Sequence, residues 1–127
     1  MNNSLVQKAI EARKKSYSPY SNFAVGAALE AEDGTIFLGA NVENASYGLT
    51  VCAERVALFN AVSQGVKKFK RIAVVADTPQ PVTPCGICRQ ALMEFAPQLE
   101  VVMANTNGAT ETTPLDQLLP KAFRLSL

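Results

Sequence analysis

The sequence predicts an α/β fold, a single mixed β-sheet of about five strands covered by helices on its faces. Three observations carry that expectation. Helical periodicity alternates with short apolar runs in the order α-β-β-α-β-α-β-β. The run Ile72-Ala73-Val74-Val75-Ala76 is apolar without alternation, as a strand buried on both faces requires. Asp33-Gly34 and Asn107-Gly108 stand between apolar runs, where such pairs mark tight hairpin turns.

Taken in order, Leu5, Val6, Ala9, Ile10 and Ala12 recur at helical spacing and predict a helix from Leu5 to near Lys15. Ser4 is its expected N-cap, with Gln7 completing a capping box. The following turn formers, Ser16 to Asn22, carry Tyr17 and Tyr20, which either cover the core or line a ligand site. Strands are expected at Phe23 to Glu30 and at Thr35 to Ala40. The polar cluster Asn41 to Gly48 then follows a strand end, where α/β folds place their binding groups. Asn41 and Glu43, two apart on extended backbone, would point to one side and suit hydrogen bonds to adjacent hydroxyls. The plainer reading is a turn satisfied by its own Asn and Ser side chains.

Cys52 to Gln64 reads as a helix with the stripe Ala53, Val56, Ala57, Leu58, Ala61 and Val62, stopped at Gly65. Lys70 to Ala76 is the buried strand. Asp77 to Pro84 holds three prolines and cannot be regular structure. It leads into a second helix, Gly86 to Phe95, with Ile87, Ala91, Leu92 and Phe95 expected to face inward. Leu99 to Ala104 and Ala109 to Thr113 form the last strands. Pro114 to Pro120 is a short helix, and Lys121 to Leu127 a tail.

The 127 residues fit one domain spanning 1–127, long enough to bury a core. A hydrophobic fraction of 48% against 18% charged excludes a disordered chain. With 12 basic and 11 acidic residues the net charge is +1, which offers no basic groove for nucleic acid. The polar start shows no signal peptide, and no apolar run reaches membrane-spanning length. Reduced cysteines at metal spacing make the cytoplasm the expected compartment.

Two short stretches hold all 3 cysteines: Cys52-Ala53-Glu54 and Pro84-Cys85-Gly86-Ile87-Cys88. Thiolates suit Zn²⁺, and a catalytic zinc keeps three protein ligands and one open position for water. With no histidine in the chain, Cys52, Cys85 and Cys88 supply those three ligands. A structural zinc would want four closed ligands. A redox Cys-x-x-Cys pair and inert buried thiols are the other readings. Pro-Cys-x-x-Cys, with a third ligand two residues ahead of a Glu, is the pattern of zinc deaminases. All three thiols fall at expected helix N-termini, which favour the thiolate. Glu54 is then the proton shuttle. Arg55 could withdraw charge from the sulfurs, or simply be a surface arginine.

The chain resembles the small cytidine deaminases that act on free nucleosides. The likeness runs from Tyr17-Ser18-Pro19-Tyr20-Ser21-Asn22-Phe23 through Asn41-Val42-Glu43-Asn44 and Cys52-Ala53-Glu54-Arg55. It continues in Pro84-Cys85-Gly86-Ile87-Cys88-Arg89-Gln90 and Leu118-Leu119-Pro120-Lys121-Ala122-Phe123. The resemblance implies a homotetramer with one zinc per subunit that hydrolyses cytidine and deoxycytidine to uridine and deoxyuridine in pyrimidine salvage. Within it, Phe23, Asn41, Glu43, Tyr47 and Ala53 would contact the nucleoside, and Phe123 would stack on the base of a neighbouring subunit's site. Arg55 and Gln90 would tune the charge of the sulfurs. A deaminase of an aminoacyl-nucleoside antibiotic shares the zinc motifs, but the Phe23 and Asn41-Val42-Glu43-Asn44 context favours a plain nucleoside.

Overall fold

The computed structural model describes residues 2–125; Met1, Ser126 and Leu127, the last two being the end of the expected tail, lie outside the described residues. The elements are α1 (Asn2–Arg13), β1 (Val25–Ala31), β2 (Ile36–Ala40), α2 (Ala53–Ser63) and β3 (Phe69–Ala76). They continue with α3 (Gly86–Met93), β4 (Glu100–Asn105), β5 (Thr110–Pro114) and α4 (Leu115–Leu118). A short 3₁₀ turn, Tyr47–Leu49, precedes α2.

Five strands form one mixed sheet in the order β2-β1-β3-β4-β5. β1 runs antiparallel to both β2 and β3, and β5 antiparallel to β4. β3 and β4 are parallel, so no tight turn can join them, and α3 makes the crossover. The hairpin turns fall where expected: Gly34 and Gly108 hold φ of 93° and 97°, a region costly for any side chain.

Alternation along the strands builds two cores. Ala28, Ala73, Val75, Val102 and Ala104 face α1, meeting Leu5, Val6 and Ala9. Leu29, Ile72, Val74, Val101 and Met103 face the other way and pack with Leu58 of α2, Leu92 of α3 and Leu115 of α4. Fully burying a side chain of this size is worth about 1.5–3 kcal/mol, so the second face fixes α2 and α3 firmly against the sheet. Gly39 sets how closely they sit. A Cβ there would overlap the backbone of Ala53 and Ala57, so only glycine on β2 lets the start of α2 lie this deep. That start is the residue after Cys52.

Several expectations need correction. α1 begins at Asn2, before Ser4, because burial of Leu5 and Val6 draws the preceding turn into the helix. Ser4 therefore lies inside α1 and forms no capping box. The helix closes by tight bonds from Lys14 N to Glu11 O and Lys15 N to Ala12 O, so its regular part ends at Arg13. β1 starts at Val25, not Phe23, because the Asn41 amide takes the place of a strand partner there. It accepts from Val25 N at 2.9 Å and donates to Phe23 O at 2.8 Å. Ile87 was expected inside and is 65% exposed. The buried face of α3 is Cys88 and Leu92, four apart, and Ile87 is rotated a full residue step from it.

Candidate catalytic metal site

The site forms where α2 and α3 begin. Cys52 is the N-cap of α2 and Cys85 the N-cap of α3, both on extended backbone, and Cys88 sits in the first turn of α3. Their three Sγ atoms lie within 4.8 Å of one another. Cys52 to Cys85 is 3.6 Å and Cys85 to Cys88 is 3.4 Å. Tetrahedral Zn²⁺ with Zn–S near 2.3 Å sets its sulfurs about 3.8 Å apart, so the three thiols fit a zinc ion as donors and in spacing.

Charge is arranged to suit a cation. A hydrogen bond from Cys88 pulls the Cys52 thiol down to about 5, with help from Arg55, while the same bond and burial push Cys88 up. The neighbouring sulfur and Arg55 thus favour the Cys52 thiolate over its thiol. Arg55 Nη2 stands 3.8 Å from Cys52 Sγ and 3.4 Å from Thr50 O. Gln90 does not reach the sulfurs by any hydrogen bond among the described residues. Its amide donates to Phe123 O at 2.9 Å, because the tail folds back along α3 and brings that carbonyl within reach.

Glu54 is 4% exposed and lines a cavity of about 180 Å³ together with Phe23, Asn41, Ala53, Cys52 and Cys85. Burial pushes its carboxyl up to about 7, and the negative charge of Cys52 adds to that. A carboxyl poised near neutrality can both take and give a proton. Thr50 lines this cavity and also a wider one of about 410 Å³ that opens beside it, walled by Tyr20, Ser21, Glu43 and Tyr47. The two cavities thus share Thr50 in their walls.

Phe23, Asn41 and Ala53 line the smaller cavity, and Glu43 and Tyr47 the wider one. Asn41 is buried, and its carbonyl oxygen accepts from Ser16 Oγ and Val25 N. Its amide therefore braces residues 16–25 at the cavity wall. Glu43 accepts from Tyr20 N at 2.9 Å, Ser21 N at 3.1 Å and the Ser21 hydroxyl, which holds its carboxyl below the usual range. Of the two tyrosines that follow α1, Tyr20 lines the wider cavity, while Tyr17 is exposed and lines neither. Tyr20 meets Tyr47 edge-on at 6.1 Å, and both are exposed. Phe123, 70% exposed, is absent from the lining of either cavity. Thr50 was missed, although extended backbone two residues before Cys52 signals a side chain on the same side.

A cysteine cradle and a buried carboxyl on two helix starts against a mixed sheet define a metal-dependent hydrolytic centre. Residues 1–104 match the family described as the cytidine and deoxycytidylate deaminase zinc-binding region. A cytidine deaminase of Sporosarcina psychrophila is 53% identical over 120 residues, covering 94% of this chain and 88% of the relative. One from Halalkalibacterium halodurans is 52% identical over 120 residues, covering 94% and 91%. A crystal structure of cytidine deaminase from Burkholderia pseudomallei superposes with a TM-score of 0.95 at 52% identity, covering 97% of this chain and 99% of that one. The chain belongs to the zinc-dependent cytidine and deoxycytidylate deaminase family.

Proposed function

We infer that the protein hydrolyses cytidine and deoxycytidine to uridine and deoxyuridine, releasing ammonia. The observation that carries this reading is the buried Glu54 carboxyl sharing one small cavity with Cys52 and Cys85. Zinc, when held by Cys52, Cys85 and Cys88, supplies a water of lowered pKa at the open coordination position. Glu54 would take a proton from the attacking water and deliver it to N3 of the pyrimidine. It would then move the proton of the new C4 hydroxyl to the amino group, so that the C4–N bond breaks, the C4 carbonyl forms and ammonia leaves. Val74, buried in the sheet, and the half-exposed Phe23 and Val82 give this cavity apolar walls around the Glu54 carboxyl. The wider outer cavity, with Glu43 held by Ser21 and Tyr20, is placed to receive the sugar hydroxyls.

The finer reading is one domain over 1–127 working as a homotetramer in the cytoplasm, in pyrimidine salvage, with Phe123 stacking on a base in a neighbouring site. For the base contact across subunits, the support is that Phe123 is exposed and free to meet a second chain. Among the described residues, no helix is long and apolar enough to cross a membrane. The test is uridine release from cytidine by purified protein, with light scattering for the assembly. No turnover of cytidine or deoxycytidine by zinc-loaded protein would overturn the assignment.

A further inference from the structure

Arg89 joins two backbone carbonyls that are distant in sequence. Its Nε donates to Pro84 O at 2.8 Å, and its Nη1 donates to Leu118 O at 2.7 Å. The backbone N–H of the same residue donates to Cys85 O at 3.0 Å. That last bond is the helix's own, so what the Arg89 side chain adds is its hold on the carbonyl just before Cys85, and Pro84 is fully buried.

Cys85 is the ligand most in need of a support. It is the exposed thiol of the three, and it has no side-chain cap bond at the start of α3. Cys88 is buried within the helix, and Cys52 has Arg55 beside it. The rest of α3 holds the tail: Gln90 donates to Phe123 O, and Arg124 Nη1 donates to Met93 O at 3.0 Å.

We propose that Arg89 is a positioning residue that holds Cys85 in the orientation closing the three-thiolate cradle, and ties that ligand to the root of the tail. This rests on the zinc reading of the three thiols. A guanidinium suits the task because its N–H groups leave one rigid plane in separate directions. A lysine ammonium donates all its N–H groups from one nitrogen, so it lacks the two separate nitrogens, Nε and Nη1, that reach Pro84 O and Leu118 O here.

The experiment compares wild type, Arg89→Lys, Arg89→Ala and Arg124→Ala by competing each holoprotein against a chelating dye for its zinc. Loss of a residue that orients a ligand costs about 10–100-fold in metal affinity. That loss is expected in Arg89→Lys and Arg89→Ala, with wild-type affinity in Arg124→Ala, which loosens the tail alone. A merely structural arginine would lower Tm equally with and without zinc. The positioning role instead shrinks the gain in Tm that zinc provides. Arg89→Lys is the deciding variant should Arg89→Ala fail to fold, and wild-type zinc affinity in it overturns the proposal. Tight zinc in wild type without cytidine turnover would remove the functional reading and leave the Arg89 result standing.

Discussion

Arg55 Nη2 points at Cys52 Sγ from 3.8 Å, one helical turn into α2, and its Nε is buried with no partner among the described residues. The same Nη2 also donates to Thr50 O at 3.4 Å, which keeps the guanidinium beside the sulfur. Arg55→Gln keeps a polar group of reduced reach but no charge. The expected outcome is a loss of about 10–100-fold in turnover or zinc affinity, read by steady-state kinetics and metal competition. Wild-type values for both would make Arg55 a bystander.

Gly39 is the contact that seats α2. Gly39→Ala drives a methyl into the backbone of Ala53 and Ala57, which cannot rotate away. Overpacking of this kind costs about 1–3 kcal/mol. Denaturant unfolding should show that loss, and turnover should fall beyond it because Cys52 and Glu54 move with the helix start. An unchanged midpoint would contradict the packing described.

Glu43 owes its depressed pKa first to the Ser21 hydroxyl. A carboxyl lowered in the folded state contributes stability above its ordinary value of about 4.3, and loses it as pH falls through the folded value. Ser21→Ala should raise the Glu43 pKa towards the ordinary value, seen by carbon NMR titration of the carboxyl. The loop at Tyr20 should then loosen at a higher pH than in wild type. An unmoved titration would place the cause elsewhere.

Phe123 is exposed and lines neither of the two cavities at the site, and the proposed base contact is made to a neighbouring subunit. Stacking on an aromatic is worth about 1–3 kcal/mol per base, so Phe123→Ala should weaken nucleoside binding roughly ten- to hundredfold. Mixing it with Glu54→Gln chains should rebuild intact sites and recover activity. No recovery after proven subunit exchange would place each site within one chain.

Legibility in the sequence followed locality. The cysteines and Glu54 were readable because their spacing alone places them at two helix starts. β3 was readable because an unbroken apolar run has one buried solution in a sheet. Ile87 was misread because apolarity says nothing of phase, and Cys88 and Leu92 set the buried face. The bracing role of Asn41 depends on Phe23 and Val25 lying beside it, a pairing made only by the fold. Arg89 and Gln90 were opaque for the same reason: their partners Leu118 and Phe123 arrive when the tail folds back.

The most direct measurement is turnover and zinc content of Glu54→Gln on one sample. The amide fills the same space in the cavity but cannot carry a proton between water, N3 and the leaving amine. The account predicts one zinc per chain, an unchanged fold and a kcat lower by at least about 10²–10⁴-fold. A fully zinc-loaded Glu54→Gln protein that deaminates cytidine at a near-normal rate would contradict it.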